Sequence, residues 1–288
     1  VYGNMNSFYY NGNEILLGNG IIENFYRAPT DNDVHIAKKW EEYGLDRLQK
    51  RIEACTFSHS DKKVTFSVVS VFGATTKKPV LKTSTEYTVF TNGQITIESG
   101  YEPLNDFIKF KNINGTWDYL YLPRFGLTMQ IPLEFEYVKW FGRGFHESYE
   151  DMKNSAVIGI YKGLVDDLQE EYEKPQENGN RMDTRWLSFK NKIGQGIFFG
   201  GLDTFNFSAS YYDAYQMAKA SHLYDLKKQD VINVNIDYMH TGLGSNSCGP
   251  RPEDKYLLYT NPNKFSFTIS PFSDSVLNEQ EMFRLRHK

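Results

Sequence analysis

Between residues 85 and 101 the chain carries two alternating runs, Thr85-Glu86-Tyr87-Thr88-Val89-Phe90-Thr91 and Gln94-Ile95-Thr96-Ile97-Glu98-Ser99-Gly100-Tyr101, with Asn92-Gly93 between them. Successive side chains of a strand point to opposite faces, so alternation marks a half-buried strand, and Asn-Gly tolerates the positive φ angles of a type I′ turn. An antiparallel hairpin is expected here. The same period runs through Val64–Val71, and further strands are expected at Phe135–Phe141, Trp186–Lys190 turning through Gly194 into Gly196–Gly200, Phe205–Tyr211, Val231–Met239 and Phe265–Ile269. Helical spacing is confined to Ile36, Trp40, Tyr43 and Leu48, behind an Asp33 cap, and to Asp213–Ala220. With 20 Tyr and 21 Phe against 7 Met, composition also favours sheet. No repeat, low-complexity tract or Pro/Gly-rich linker divides the chain, so one all-β domain over residues 1–288 is expected.

The net charge of −4 gives no electrostatic footprint for nucleic acid or an anionic membrane, and no stretch has the ~20 apolar residues of a transmembrane helix. A soluble protein is expected. Two cysteines, Cys55 and Cys248, rule out a disulfide framework and have no metal-ligand spacing. The histidines His35, His59, His146, His222, His240 and His287 have none either. Asn114-Gly115-Thr116 and Asn206-Phe207-Ser208 fit the glycosylation pattern, a short one that arises often by chance. An EF-hand reading of Asp31-Asn32-Asp33 fails because Ile36 stands where glycine is required and His35 where an oxygen ligand is required.

Phe25-Tyr26-Arg27-Ala28-Pro29-Thr30-Asp31-Asn32-Asp33 packs aromatics, a guanidinium, a proline corner and turn-closing polar side chains into one run. Such a run suits a buried turn with an internal ion pair, because Asp and Asn bond their own backbone and Arg forks onto a carboxylate. Three later segments carry similar density: Trp140-Phe141-Gly142-Arg143-Gly144-Phe145-His146-Glu147-Ser148-Tyr149-Glu150-Asp151, Pro175-Gln176-Glu177-Asn178-Gly179, and His240-Thr241-Gly242-Leu243-Gly244-Ser245-Asn246-Ser247-Cys248-Gly249-Pro250. In this order and spacing, the four segments resemble the C-terminal domain, of small-chain type, of the lacZ-type β-galactosidases, glycoside hydrolase family 2. The resemblance runs from about Gly3 to about Phe272.

That resemblance implies a large antiparallel β-sandwich (supersandwich) of the galactose-mutarotase type. It also implies a chain beginning just inside its domain, since the family pattern carries another strand upstream and this chain starts at Val1. The activity implied is hydrolysis of terminal β-D-galactosides such as lactose, performed by two glutamates on a (β/α)8 barrel. Such a barrel takes ~250 residues of alternating strands and helices, which this chain lacks, so no catalytic residue is expected here and the chain alone should be inactive. The implied partner is that barrel, in the same chain or a large subunit, in a cytoplasmic parent enzyme. The barrel also holds the family's Mg²⁺ and Na⁺, leaving no cofactor or metal to this domain.

Within this chain the resemblance places Ser245, Asn246, Ser247 and Cys248 in a loop lining the sugar pocket, where many members carry Trp at the position of Cys248. Glu177 and Asn178 fall on a loop at the active-site mouth. The motif containing Arg27, Asp31, Asn32 and Asp33 falls at the domain interface. On residues alone, the glycine-rich 242–249 segment reads as a flexible, donor-rich loop or a long polar turn, and Pro175–Gly179 as an ordered functional loop or a tight turn. Among carboxylates, Glu147, Glu150 and Asp151 read as architectural, and Asp166 to Glu173 as a solvated face. Two other functions stay open: a carbohydrate-binding module presenting Trp117 or Trp140, and an aldose 1-epimerase-like enzyme using His240 with Glu177.

Overall fold

The computed structural model describes residues 3–104, 109–111 and 117–286. The Asn114–Thr116 site and His287 lie outside the described residues, as does the side chain of Trp117. Twelve strands form one sheet: β1 (Leu17–Asn24), β2 (Gln49–His59), β3 (Lys63–Gly73), β4 (Leu81–Phe90), β5 (Ile95–Pro103), β6 (Arg124–Pro132), β7 (Tyr137–Gly144), β8 (Val157–Leu164), β9 (Arg181–Lys190), β10 (Gln195–Ser210), β11 (Val231–His240) and β12 (Asn263–Ser273). Every pairing within it is antiparallel. Among the described residues three short α-helices, α1 (Ala37–Tyr43), α2 (Ala214–Lys219) and α3 (Glu279–Leu285), decorate it.

The sheet divides into two sections through β10. Its first half, Gln195–Gly201, pairs with β12 in the order β8-β7-β9-β10-β12-β5-β4-β3-β2. Its second half, Asn206–Ser210, pairs with β11, which continues through β6 to β1. Alternation decides what lies between. Leu127, Met129 and Ile131 of β6 and Ile232, Val234 and Ile236 of β11 enter one core with Ile95, Ile97, Phe267 and Ile269 of the larger section. Their neighbours Thr128, Gln130, Asn233 and Asn235 face the other way, so the smaller section is polar on its far side.

The hairpin expected at 85–101 is β4 and β5, but its turn is of another kind. Only Gly93 has a positive φ, 82°, and Phe90 N–H donates to Gln94 O at 2.9 Å while Gly93 N–H donates to Phe90 O at 3.0 Å. This is a three-residue loop with glycine in the left-handed position, and Asn92 instead accepts from Gln94 N–H through its side chain at 3.0 Å. The first helix also starts later than expected. Asp33 ends a 3-10 turn and is drawn inward by Arg27, leaving Ile36 at the helix N-cap. The second helix has the expected cap, Asp213 accepting from Gln216 N–H at 2.7 Å. The third, α3, had no sequence expectation; its Met282 and Phe283 pack on Trp186, Phe198 and Phe272.

Candidate functional site

The four motif segments meet at one rim of the sandwich. Arg27 is fully buried and grips Asp33 through two hydrogen bonds, Nε to Oδ2 at 3.2 Å and Nη2 to Oδ1 at 2.8 Å, while its Nη1 donates to Thr241 O at 2.6 Å. Burial works against the guanidinium charge, but Asp33 outweighs it and holds the Arg27 pKa above its ordinary value. Asp33 Oδ2 also accepts from Thr30 N–H at 2.9 Å, closing the turn after Pro29. Arg27 and Asp33 are thus an internal ion pair, and of this motif only Asp31 is exposed.

Asn32 links this turn to the 242–250 loop. Its Nδ2 donates to Gly244 O at 2.8 Å, and its Oδ1 accepts from Ser247 N–H at 3.1 Å and Ser247 Oγ at 2.8 Å. Asp151 holds the same loop from the other side, accepting Leu243 N–H at 3.0 Å and Gly244 N–H at 2.6 Å. Gly244 sits at φ 64°, and a Cβ there would lie 2.6 Å from Pro252 Cδ, so glycine here serves a close approach. The reading of a flexible loop therefore gives way to a pinned base carrying an open tip: Ser245, Ser247 and Cys248 are exposed and Asn246 is half-buried.

Pro175–Gly179 joins from a third direction. Glu177 N–H donates to Ala28 O at 3.1 Å, and Gln176 Oε1 accepts Asp31 N–H at 3.0 Å. Asn178 turns inward to accept Glu170 N–H at 3.1 Å. Gly179, at φ 77°, donates its N–H to Glu147 Oε2 at 2.8 Å, and Tyr172 Oη donates to the other oxygen of Glu147. Burial raises the Glu147 pKa in spite of these two bonds. Glu147 and Asp151 are architectural, as read from sequence, and residues 145–149 between β7 and the Asp151 turn form an irregular segment.

Beneath the rim a buried network joins Glu177 and His240 to two residues that the sequence did not single out, Arg124 and Asp237. Arg124 of β6 donates to both carboxylate oxygens of Asp237 on β11, with Nε to Oδ1 at 3.1 Å, and its Nη1 lies 3.5 Å from Glu177 Oε2. His240 Nε2 bonds Asp237 Oδ2 at 3.1 Å. Burial alone would raise Asp237, yet Arg124 and His240 hold its carboxyl below the usual range. Burial and the neighbouring Arg124 push the His240 pKa below its ordinary value. His240 is fully buried and joined to Glu177 only through Asp237 and Arg124, so the two share no open face on which an epimerase acid and base could work. Trp140 is fully buried too, packed on Tyr161 and Phe207, and offers no sugar platform.

Among the described residues no cluster of three or more His, Cys, Asp or Glu could hold a metal, and no helix is long and apolar enough to cross a membrane. Both cysteines are free and exposed.

This arrangement defines a mostly-β antiparallel domain with a loop rim fastened by buried ion pairs. Residues 1–269 match the family described as the beta galactosidase small chain, and the chain belongs to that family. The β-galactosidase of Actinobacillus pleuropneumoniae is 32% identical over 246 residues, covering 85% of this chain and 23% of that protein. The β-galactosidase of Kluyveromyces lactis is 30% identical, covering 85% and 23%. The chain thus spans about a quarter of the length of these curated relatives. Among solved structures, the galactose 1-epimerase of Lactobacillus acidophilus overlaps 94% of this chain and 89% of its own at 8% identity and a TM-score of 0.44. The aldose epimerase homologue of Caenorhabditis elegans overlaps 94% and 79% at 12% and 0.39.

Proposed function

We propose that this chain is the C-terminal portion of a β-galactosidase that hydrolyses terminal β-D-galactosides such as lactose. In this reading it buttresses a catalytic (β/α)8 barrel and completes its sugar pocket with the Ser245–Cys248 tip. The observation that carries the reading is the convergence of the Arg27–Asp33, Glu147–Asp151, Pro175–Gly179 and 242–250 segments on one rim that presents hydroxyl, amide and thiol groups outward. Retaining glycosidases need two carboxyl groups roughly 5 Å apart, flanking the scissile bond. Here Asp237, Asp33 and Glu147 are buried and already bonded to arginines, backbone or tyrosine, and Glu177 is buried with one oxygen against Arg124, so the chemistry falls to the barrel.

The roles then divide by exposure. Ser245, Asn246 and Ser247 supply donors and acceptors to sugar hydroxyls, and Cys248 supplies a small apolar contact where an indole would stack. Glu177 and Asn178 shape the mouth from below, while Asp31, beside Lys174 at 3.5 Å, faces the barrel. The metal ions of the parent enzyme belong to the barrel.

A chromogenic β-galactoside assay tests this reading, on the chain alone and after mixing with a polypeptide supplying the upstream part of the enzyme. Silence alone followed by activity on mixing is the expected outcome. Turnover by the chain alone would overturn it, as would failure of a mixture that demonstrably associates.

A further inference from the structure

We propose that the polar far side of the smaller sheet section, β1-β6-β11-β10, is a groove that binds a neutral saccharide, a pyranoside with free vicinal hydroxyls. A cavity of about 770 Å³ opens there, within the ~300–1,000 Å³ range of small-molecule sites. Strand alternation fills its floor with amides and hydroxyls. Asn24 Nδ2 donates to Asn235 Oδ1 at 3.1 Å, Asn235 Nδ2 to Ser208 Oγ at 3.2 Å, and Gln130 Nε2 to Asn233 Oδ1 at 3.0 Å. Each of these three donating amides spends one N–H inside the row and keeps a second, the pattern that meets a ligand bearing several hydroxyls.

Two further features point to a sugar. The rings of Tyr26 and Tyr215 stack at 5.3 Å on the cavity wall, and Tyr215 is 50% exposed, an aromatic face for the C–H side of a pyranose. Glu177, only 4% exposed, also lines the cavity, and its Oε1 has no hydrogen-bond partner while Oε2 faces Arg124. A buried carboxylate oxygen left without a donor is costly, and a sugar hydroxyl supplies one. The charges of the lining favour a neutral ligand over an ion, since Lys50 pairs with Glu23 at 2.9 Å and Arg124 with Asp237 and Glu177.

The test is calorimetric titration of the full chain with methyl β-D-galactoside, lactose and glucose, repeated on Tyr215→Ala, Asn235→Ala and Glu177→Gln, with circular dichroism and melting to verify folding. We expect saturable binding of at least one sugar with a Kd of about 1–10 mM, weakened roughly 10-fold by Tyr215→Ala and by Asn235→Ala in folded protein. Phe57→Ser, on the distal β2–β3 pair, should leave it unchanged. No saturable binding to any of the three sugars overturns the proposal. So does binding that survives both groove substitutions, or binding abolished by Ser247→Ala, which would move it to the rim loop.

Discussion

The rim and the distal half of the larger section are built on opposite principles. Strands β2 to β5 hold together by long ladders: β3 and β4 pair without interruption from Lys63↔Phe90 to Phe72↔Leu81, and β4 with β5 from Leu81↔Pro103 to Val89↔Ile95. No single side chain decides such a structure, and its tip leaves Phe57 and Phe66 exposed. The rim has irregular backbone and is fastened by single side chains, namely Arg27 on Asp33 and Thr241, Asn32 on Gly244 and Ser247, Asp151 on two amides, and Glu147 on Gly179. Redundant pairing tolerates substitution, whereas point fastening concentrates stability in few residues.

The sharpest challenge to that contrast is Arg27→Ala. Removing one partner of a buried pair strands Asp33, so thermal or urea unfolding should show a loss of about 3–5 kcal/mol. Gly179→Ala should cost less, about 1–3 kcal/mol, because the residue holds φ 77° and its new Cβ would sit 2.7 Å from Leu168 O. Asn32→Ala, half-buried, should cost about 1–2 kcal/mol in denaturant titrations. At the other end, Phe57→Ser should stay within about 0.5 kcal/mol of the parent chain. A distal loss equal to that of Arg27→Ala would break the comparison.

Titration offers a smaller and signed effect. His240 is held below its ordinary value of 6.5, so between that value and its depressed native pKa the unfolded chain binds a proton that the native chain does not. Its contribution is complete above pH 6.5 and is lost as pH falls, by at most about 1.4 kcal/mol per pH unit for one proton. Glu147, raised by burial, acts with the opposite sign, its native state gaining relative stability as pH falls through the raised value. Chemical denaturation of the parent and His240→Gln across this range isolates the histidine: the variant should lose that part of the slope, and an unchanged slope would remove the assignment.

Strands with one face in the core were legible because alternation records burial, as at Val231–Met239, where Ile232, Val234 and Ile236 enter the core. The edge strands were not. β2 is exposed at most positions, so Gln49–His59 shows no apolar face, and β8 likewise leaves Val157, Ile158 and Ile160 open. The Asn92-Gly93 turn was located but mistyped, because dipeptide chemistry permits positive φ at both residues and the strands required it at only one. At the site, local density revealed the four segments, and Arg27 with Asp33 fits the ion pair read from them. Arg124 and Asp237 escaped notice, being single charged residues on separate strands, 113 positions apart, with no local pattern. The available signal was an arginine opening a strand whose alternate residues Phe125, Leu127, Met129 and Ile131 are apolar and buried.

The most direct test of the proposal that point-fastened rim loops contact sugar is steady-state kinetics of Asn32→Ala and Phe57→Ser in the proposed reassembly with the upstream part of a β-galactosidase. Freeing Ser247 and Gly244 from Asn32 should raise KM for a chromogenic β-galactoside several-fold at matched assembly, while Phe57→Ser leaves kcat and KM alone. Wild-type kinetics in fully assembled Asn32→Ala would contradict the account.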